Sequence, residues 1–178
     1  MKKKVVLTAA LLMLTASVWS IFHYVSRDGE FEMWAYPTAG AELLDGGQAI
    51  YMGYSFDWEG LGSPTLEDIQ FHKRDGTIVQ NGEDEFHVRA FVDGLVDKDH
   101  GDAIGIMDEE TVVGQGMVDD LVPYTDYQVE DEFILVLRVE FNGSNIDNDI
   151  EELQLTYKKF GVTQHQTIQL ANGIIEDE

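Results

Sequence analysis

The segment Glu132–Phe141, with the sequence EFILVLRVEF, is the feature that most constrains the fold. Successive side chains of a β-strand point to opposite faces, so one face of a strand here carries only apolar residues: Phe133, Leu135, Leu137, Val139 and Phe141. The opposite face combines two apolar with two charged side chains: Ile134, Val136, Arg138 and Glu140. A strand whose second face is half apolar is expected inside a sheet and not at its edge. The segment therefore predicts the central strand of an antiparallel β domain.

A second long apolar stretch covers residues 5–25, which contain no acidic residue and directly follow Lys2, Lys3 and Lys4. At a rise of about 1.5 Å per residue, an α-helix of this length spans roughly 31 Å, the thickness of a bilayer's hydrocarbon core. A lysine-led, acid-free helix before a β domain argues against a buried core helix. Because basic flanks tend to stay in the cytoplasm, the rest of the chain is expected to be exported.

Whether this segment stays attached distinguishes a signal anchor from a cleaved signal peptide. A signal peptide has a shorter apolar region that ends at small residues, and residues 15–17 and 18–20 are poor cleavage sites. The length of the segment and its terminal Trp19, Phe22 and Tyr24 favour an anchor. The sequence thus predicts a single-pass cell-membrane protein with an extracytoplasmic C-terminal domain, which would be secreted if the segment were cleaved.

Charge is distributed unevenly along the chain. All 34 acidic residues lie at Asp28 or beyond, together with only seven lysines and arginines, so the exported part carries a net charge of about −27. Nucleic acid and anionic lipid are poor partners for such a surface. The charge favours either solubility in a saline or alkaline exterior, or a cationic ligand or bound metal ions. The absence of cysteine excludes disulfides, thiolate chemistry and a lipoprotein anchor.

Short alternating segments fill the remainder of the chain. A linker is predicted at residues 26–30, a β domain at 31–171 and a disordered acidic tail at 172–178. Within the domain, loops are predicted at 38–48 and 93–102, and one helical turn at 149–153. Besides the central strand, strands are predicted at residues 31–36, 49–58, 66–73, 77–79, 85–92, 111–118, 153–158 and 162–170.

One of these strands, at residues 49–58, carries an aromatic row on one face: Ile50, Met52, Tyr54, Phe56 and Trp58. Such a row is found in sugar-binding platforms and, more often, in cores. The row is continuous and the opposite face carries small and polar residues, which favours a core strand. Eight or nine short strands with turn signals between them predict an all-β sandwich.

Residues 121–127, LVPYTDY, match the pattern L-x-P-x-T-x-Y. This segment resembles the corner before a late strand in fibronectin type III domains. The resemblance implies an antiparallel, immunoglobulin-like β-sandwich in which the Tyr127 hydroxyl returns to the preceding turn. It covers seven residues and implies no activity.

Carboxylates alternate in the charged loop at residues 97–102, DKDHGD, and could hold calcium. The candidate ligands are Asp97, Asp99, Asp102 and Asp108. The spacing departs from an EF-hand loop, since Gly101 stands where a side-chain ligand belongs and Asp108 where a bidentate Glu is expected. A solvated turn is the preferred interpretation and calcium binding is the alternative. No cofactor other than calcium is suggested by the sequence. A second, weaker group of carboxylates lies at residues 147–151.

The sequence gives little support for a histidine-ligated metal site, for catalysis or for a phosphate-binding loop. The five histidines do not cluster, and His72 and His87 would be neighbours only if their strands pair. No HExxH, G-x-S-x-G or S-x-x-K motif occurs, and the glycines at 114 and 116 lack the helix and lysine of a phosphate loop. With 34 carboxylates, any glycosidase pair could be chosen and none is evidence.

The sequence therefore predicts a non-enzymatic, membrane-anchored extracytoplasmic β-sandwich that binds or scaffolds an envelope protein or a cationic ligand. The alternative is a calcium-binding extracellular module that uses residues 97–102. A hydrolase is the third hypothesis, and it would require a cleft of converging polar groups.

Overall fold

The computed structural model describes residues 2–44, 47–80, 84–94, 105–143 and 146–176. The helices are α1 (Lys2–Arg27) and α2 (Glu109–Gly114), with short 3₁₀ helices at Ala41–Leu43 and Met117–Asp120. The strands are β1 (Glu30–Ala35), β2 (Ala39–Gly40), β3 (Ile50–Glu59), β4 (Thr65–Lys73), β5 (Phe86–Asp93), β6 (Ile106–Asp108), β7 (Leu121–Pro123), β8 (Glu132–Phe141), β9 (Ile150–Lys159), β10 (Val162–Gln169) and β11 (Ile175–Glu176).

Two antiparallel sheets form the body of the domain. The larger sheet has the order β1-β3-β8-β5-β7. Strand β6 pairs with the start of β3, on the same side of β3 that pairs with β1 nearer its end, while β8 pairs with the other side. The smaller sheet has the order β10-β9-β4. A separate two-stranded pairing, between β2 and β11, is parallel. The architecture is thus mostly antiparallel β, preceded by one apolar helix.

The predicted central strand is confirmed as β8, which lies between β3 and β5 in the larger sheet. Its wholly apolar face is buried in the main core. Its second face is covered by α2, because Val136 packs with Tyr51 and the fully buried Val112 of that helix. This covering explains why half of the second face is apolar.

The aromatic row on β3 is confirmed as core. Tyr54 and Phe56 are fully buried and Trp58 is 8% exposed. Tyr157 of β9 contacts this region from the smaller sheet, with ring centroids 5.6 Å from Trp58 and 5.0 Å from Phe31 of β1. The two sheets therefore pack face to face on one core, in a sandwich-like arrangement.

The predicted last hairpin is confirmed and is longer than expected. Phe160 and Gly161 join β9 to β10 with φ angles of 50° and 80°, the left-handed values of a tight two-residue hairpin turn. The helical turn predicted at residues 149–153 is wrong. Ile150 already belongs to β9, because Leu153, Leu155 and Tyr157 continue a period-two pattern into the core and pair with β4.

The strand predicted at residues 111–118 is also wrong, because α2 and a 3₁₀ helix occupy this segment. Asp108 caps α2: its Oδ1 accepts a hydrogen bond from the Thr111 backbone N–H at 2.7 Å. Glu109 and Glu110 in the first turn complement the helix dipole. These terminal interactions, together with the burial of Val112, override the strand preference of the Thr-Val-Val sequence.

Two further boundaries differ from the prediction. The expected tail at 172–178 turns back as far as residue 176, where β11 pairs with β2 in the segment predicted as a loop, and the last two residues lie outside the described part. Ile174 and Ile175 are buried, which supplies the driving force for this pairing. The expected linker at 26–30 is partly helical, since α1 continues to Arg27.

Helix α1 is long and apolar enough to cross a membrane, with a mean hydropathy of 2.1 over its apolar window and none of that window buried. It leaves the sandwich beside the β3–β4 connection and the β9–β10 turn, and we call this the anchor end. The opposite end, where β8 connects to β9 and β10 connects to β11, is called the distal end. Strands β3, β8 and β9 each run ten residues between the two ends.

Candidate functional site

An open cleft of about 940 Å³ lies on the outer face of the larger sheet, beside the N-terminus of α2. Its floor comes from β8 and its walls from α2 and the segment before β3. The polar side chains that line it include Asp108, Glu109, Glu110, Arg138 and Glu140. Four carboxylates and one guanidinium give these five side chains a formal charge of −3, so we call this feature the acidic cleft.

The cleft exists because β8 and α2 meet there. Packing of Val112 on Tyr51 and Val136 places the first turn of α2 over the sheet. The charged half of the second face of β8 lies just beyond this apolar contact. Acidic residues of the first helical turn are thereby brought opposite Arg138.

Arg138 is the structural centre of the cleft. Its Nε donates to Glu109 Oε1 at 2.8 Å and its Nη1 donates to Glu140 Oε2 at 3.4 Å. The Arg138 side chain is only 19% exposed, whereas that of Glu109 is 44% exposed. The hydrogen bond to Glu109 raises the pKa of Arg138, so the guanidinium remains charged and ties helix to strand.

Two carboxylates of the cleft are held in the ionised form. The backbone N–H and hydroxyl of Thr111 lower the pKa of Asp108 below its usual range. A hydrogen bond from Asn142 lowers the pKa of Glu140, and Arg138 lowers it further. These groups therefore present negative charge at neutral pH and are poorly suited to act as general acids.

The structure describes only one of the four predicted calcium ligands. Asp97, Asp99 and Asp102 lie outside the described residues. Asp108 lies in the acidic cleft, where its two oxygens accept from the Thr111 N–H at 2.7 Å and the Thr111 hydroxyl at 3.0 Å. Among the described residues, no group of three or more His, Asp or Glu side chains is arranged to hold a metal ion.

The second group of carboxylates, at residues 147–151, does not converge on a common point. Glu151 pairs with Arg74 at 2.5 Å, while the Asn148 amide donates to Asp75 at 3.0 Å. Asp149 instead turns into the protein and is only 2% exposed. Its oxygens accept from the backbone N–H groups of Ile150 at 2.6 Å and Ile175 at 2.9 Å.

Strand pairing does not make neighbours of the two strand histidines, because β4 and β5 belong to different sheets. His72 on β4 lies opposite Glu152 of β9, and His87 on β5 lies opposite Glu140 of β8.

The sequence-based predictions assign no role to Arg138. The available signal was a charged side chain on the half-apolar face of a central strand, which must find a partner or solvent.

No protein-family model, curated protein or solved structure matches the chain.

Proposed function

We propose that the chain is an extracytoplasmic β-sandwich, anchored in the cell membrane by α1, that binds a cationic segment of another envelope protein without catalysing a reaction. The observation that carries this proposal is the acidic cleft, where ionised carboxylates surround a single, internally paired arginine. Lysine or arginine side chains of a partner would find excess negative charge there. Such complementarity favours specificity and rapid association.

The membrane anchor is supported by the length, hydropathy and exposure of α1. Lys2, Lys3 and Lys4 precede the apolar stretch, which favours a cytoplasmic N-terminus. The net charge of about −27 on the following residues fits an exterior location and a cationic partner, and it disfavours nucleic acid.

Binding is favoured over catalysis by the state of the charged groups in the cleft. Arg138 is occupied by Glu109 and Glu140, and the oxygens of Asp108 are engaged by Thr111. The lowered pKa values of Asp108 and Glu140 favour permanent charge rather than proton transfer. A fixed pattern of charge is what recognition of a cationic segment requires.

An immunoglobulin-like sandwich of the fibronectin type III kind remains part of the proposal. The segment that carries the resemblance crosses between the sheets: β7 pairs with β5 in the larger sheet, and Gln128 then bridges Thr65 of the smaller one. Asp126 takes a φ of 64° at this corner, and the Tyr127 N–H donates to the Tyr124 carbonyl at 3.0 Å. A corner between sheets is the place that the resemblance gives to this tyrosine.

A hexalysine peptide provides the probe for the cleft. Glu110 is exposed at its rim, so Glu110→Lys is expected to weaken hexalysine binding about tenfold, because an attractive contact becomes a repulsive one. The matched control is Glu32→Lys, which makes the same charge change on the exposed face of β1. Titrations of the full chain in nanodiscs at about 0.15 M salt, where charges are screened beyond about 8 Å, measure both affinities.

Equal losses of affinity in the two variants would refute the cleft as the binding site and leave only diffuse attraction to an acidic surface.

The calcium alternative is tested by titrating calcium chloride at fixed high salt and following thermal unfolding. Ligand linkage predicts that a specific site raises Tm in proportion to the logarithm of the calcium concentration once this exceeds Kd. Such a rise, abolished by Asp97→Asn with Asp99→Asn, would favour the calcium module over the peptide-binding proposal.

A further inference from the structure

The junction between α1 and the sandwich is a fixed connection. Only two residues separate the end of α1 at Arg27 from the start of β1 at Glu30. Ser26, in the last turn of the helix, is only 2% exposed, and its carbonyl accepts a hydrogen bond from the Gln164 side chain at 2.8 Å. The helix end is therefore hydrogen-bonded to the side of β10 and is not carried on a flexible tether.

Lys159 makes the second connection at this junction. It follows the inward-facing row of β9 and is only 1% exposed, and its Nζ donates to the Asp28 carbonyl and lies 5.0 Å from the centre of the Trp58 ring. A buried ammonium is costly unless it is paired with an acceptor. The acceptor here belongs to the residue that follows α1, so Lys159 fixes the point where the helix leaves the sandwich.

Two large apolar side chains are exposed at the same end of the molecule. Leu61 in the β3–β4 connection is 56% exposed and Phe160 in the β9–β10 turn is 52% exposed. The Phe160 ring lies directly over Gly62, where an added Cβ would be 2.7 Å from its Cζ. Leu61 and Phe160 thus belong to neighbouring loops, and we call them the anchor-end apolar pair.

Phe160 is an unusual residue for the β9–β10 turn for two reasons. Its φ of 50° belongs to the left-handed region, which turns usually fill with Gly, Asn or Asp. Its ring is also half exposed instead of joining the core. An apolar environment outside the sandwich would therefore bury the exposed half of this ring.

We infer that Leu61 and Phe160 enter the boundary between lipid headgroups and acyl chains of the membrane that α1 spans. This inference rests on the proposed membrane anchor. The whole apolar window of α1 is exposed, and its last turn is bound to the sandwich beside these two side chains, so the membrane lies at the anchor end. Aromatic and apolar side chains next to a membrane span favour this boundary.

The acidic surface limits which lipids suit this contact. A net charge of about −27 disfavours anionic headgroups, so the contact is apolar and made to zwitterionic lipid. The acidic cleft lies in the distal half of the sandwich. Asp108 pairs with Ile50 and Arg138 with Tyr51, and both partners are at the start of β3, which is its distal end. Docking at the anchor end would hold the cleft away from the bilayer, where a partner can reach it.

Site-directed spin labelling tests the inference, since the chain has no cysteine of its own. The reporter is Ser63→Cys, an exposed residue beside the apolar pair, with Ala16→Cys marking the membrane interior and Asn172→Cys the distal end. Each full chain is placed in phosphatidylcholine nanodiscs, and nitroxide collisions with oxygen and with a water-soluble nickel chelate are measured. The Ser63→Cys label is expected to give an oxygen-to-nickel ratio between those of the other two sites.

The same reporter is then measured in a Leu61→Ser, Phe160→Ser background, where its ratio is expected to fall to that of Asn172→Cys. The matched control background is Ile78→Ser with Val113→Ser, which removes two exposed apolar side chains elsewhere and is expected to leave the ratio unchanged. A water-like Ser63→Cys signal with a buried Ala16→Cys label would overturn the inference alone. A reporter unmoved by the double serine change would also overturn it, and a water-exposed Ala16→Cys label would overturn the proposed anchor itself.

Discussion

Replacing Leu137 with aspartate is expected to lower the free energy of unfolding by about 4 kcal/mol or more, because it buries a charge without a partner. Leu137 is fully buried in the middle of β8, opposite Met52 of β3 and Ala90 of β5. Neither neighbour offers a hydrogen bond to a carboxylate side chain. Chemical denaturation, followed by far-ultraviolet circular dichroism, measures the loss.

The matched control is Thr167→Asp, which adds the same charge to an exposed position on β10. Its effect is expected to stay within about 0.5 kcal/mol, as for most surface substitutions. If both variants unfolded at the denaturant concentration of the parent, β8 would not be the central strand of the core.

Replacing Asp149 with alanine is expected to cost about 3 kcal/mol. The substitution removes the acceptor of the Ile150 and Ile175 N–H groups in a buried site, and each buried donor left unpaired costs roughly 1–3 kcal/mol. The loss should be concentrated in β11, whose pairing with β2 depends on this carboxyl group. Hydrogen exchange of the Ile175 amide, compared with that of Leu137, separates local opening from global unfolding.

Asp149→Asn is the matched variant for titration: it has no carboxyl group to titrate, and its one side-chain oxygen keeps one of the two acceptors, since the Ile150 and Ile175 N–H groups bind different oxygens of Asp149. Burial raises the pKa of Asp149 from 3.8 to about 6. Hydrogen bonds from backbone N–H groups and the charge of Arg74 act in the opposite direction, but their effect is smaller than that of burial. A carboxyl group with a raised folded-state pKa contributes stability that is complete below pH 3.8 and is lost as pH rises through 6. Between pH 5 and 7.5 the parent should therefore lose about 1.4 kcal/mol through this group.

This component of the pH dependence should be absent from the asparagine variant. Parallel denaturation curves at pH 5 and 7.5, for parent and Asp149→Asn, give the two differences directly. An equal dependence on pH in both proteins would mean that Asp149 does not titrate in this range. Full stability of Asp149→Ala would mean that its hydrogen bonds to β11 contribute nothing.

The strands of the sandwich could be predicted wherever apolar residues alternate with a period of two along the sequence. The alternating apolar residues of β3, β8 and β9 specify strands with one face in the core, and Gly161 supports the tight last turn. Helix α2 was missed because Thr111, Val112 and Val113 have strand preferences, whereas its formation depends on the Asp108 cap and on packing against β8. Such tertiary packing has no signature in a six-residue window.

The candidate site was less predictable than the fold. The acidic cleft requires Glu109 and Arg138, which are far apart in sequence and meet only when α2 packs on the larger sheet. The hydrogen bond between Asp149 and the Ile175 N–H was not predicted, because Ile174 and Ile175 lie in an otherwise acidic tail. Asp108 was predicted from its position to be a calcium ligand, whereas the structure shows it as the cap of α2, a role that depends on Thr111 three residues later.

The central claim, that α1 anchors an exported sandwich, is tested by the sidedness of single cysteines in intact cells that make the full chain. Asn172→Cys marks the distal end of the sandwich and Lys3→Cys marks the N-terminal flank. A membrane-impermeant maleimide should label Asn172→Cys in intact, sedimented cells and Lys3→Cys only after the cells are broken. Labelling of Lys3→Cys alone in intact cells, or recovery of Asn172→Cys in the soluble fraction after lysis, would contradict the account.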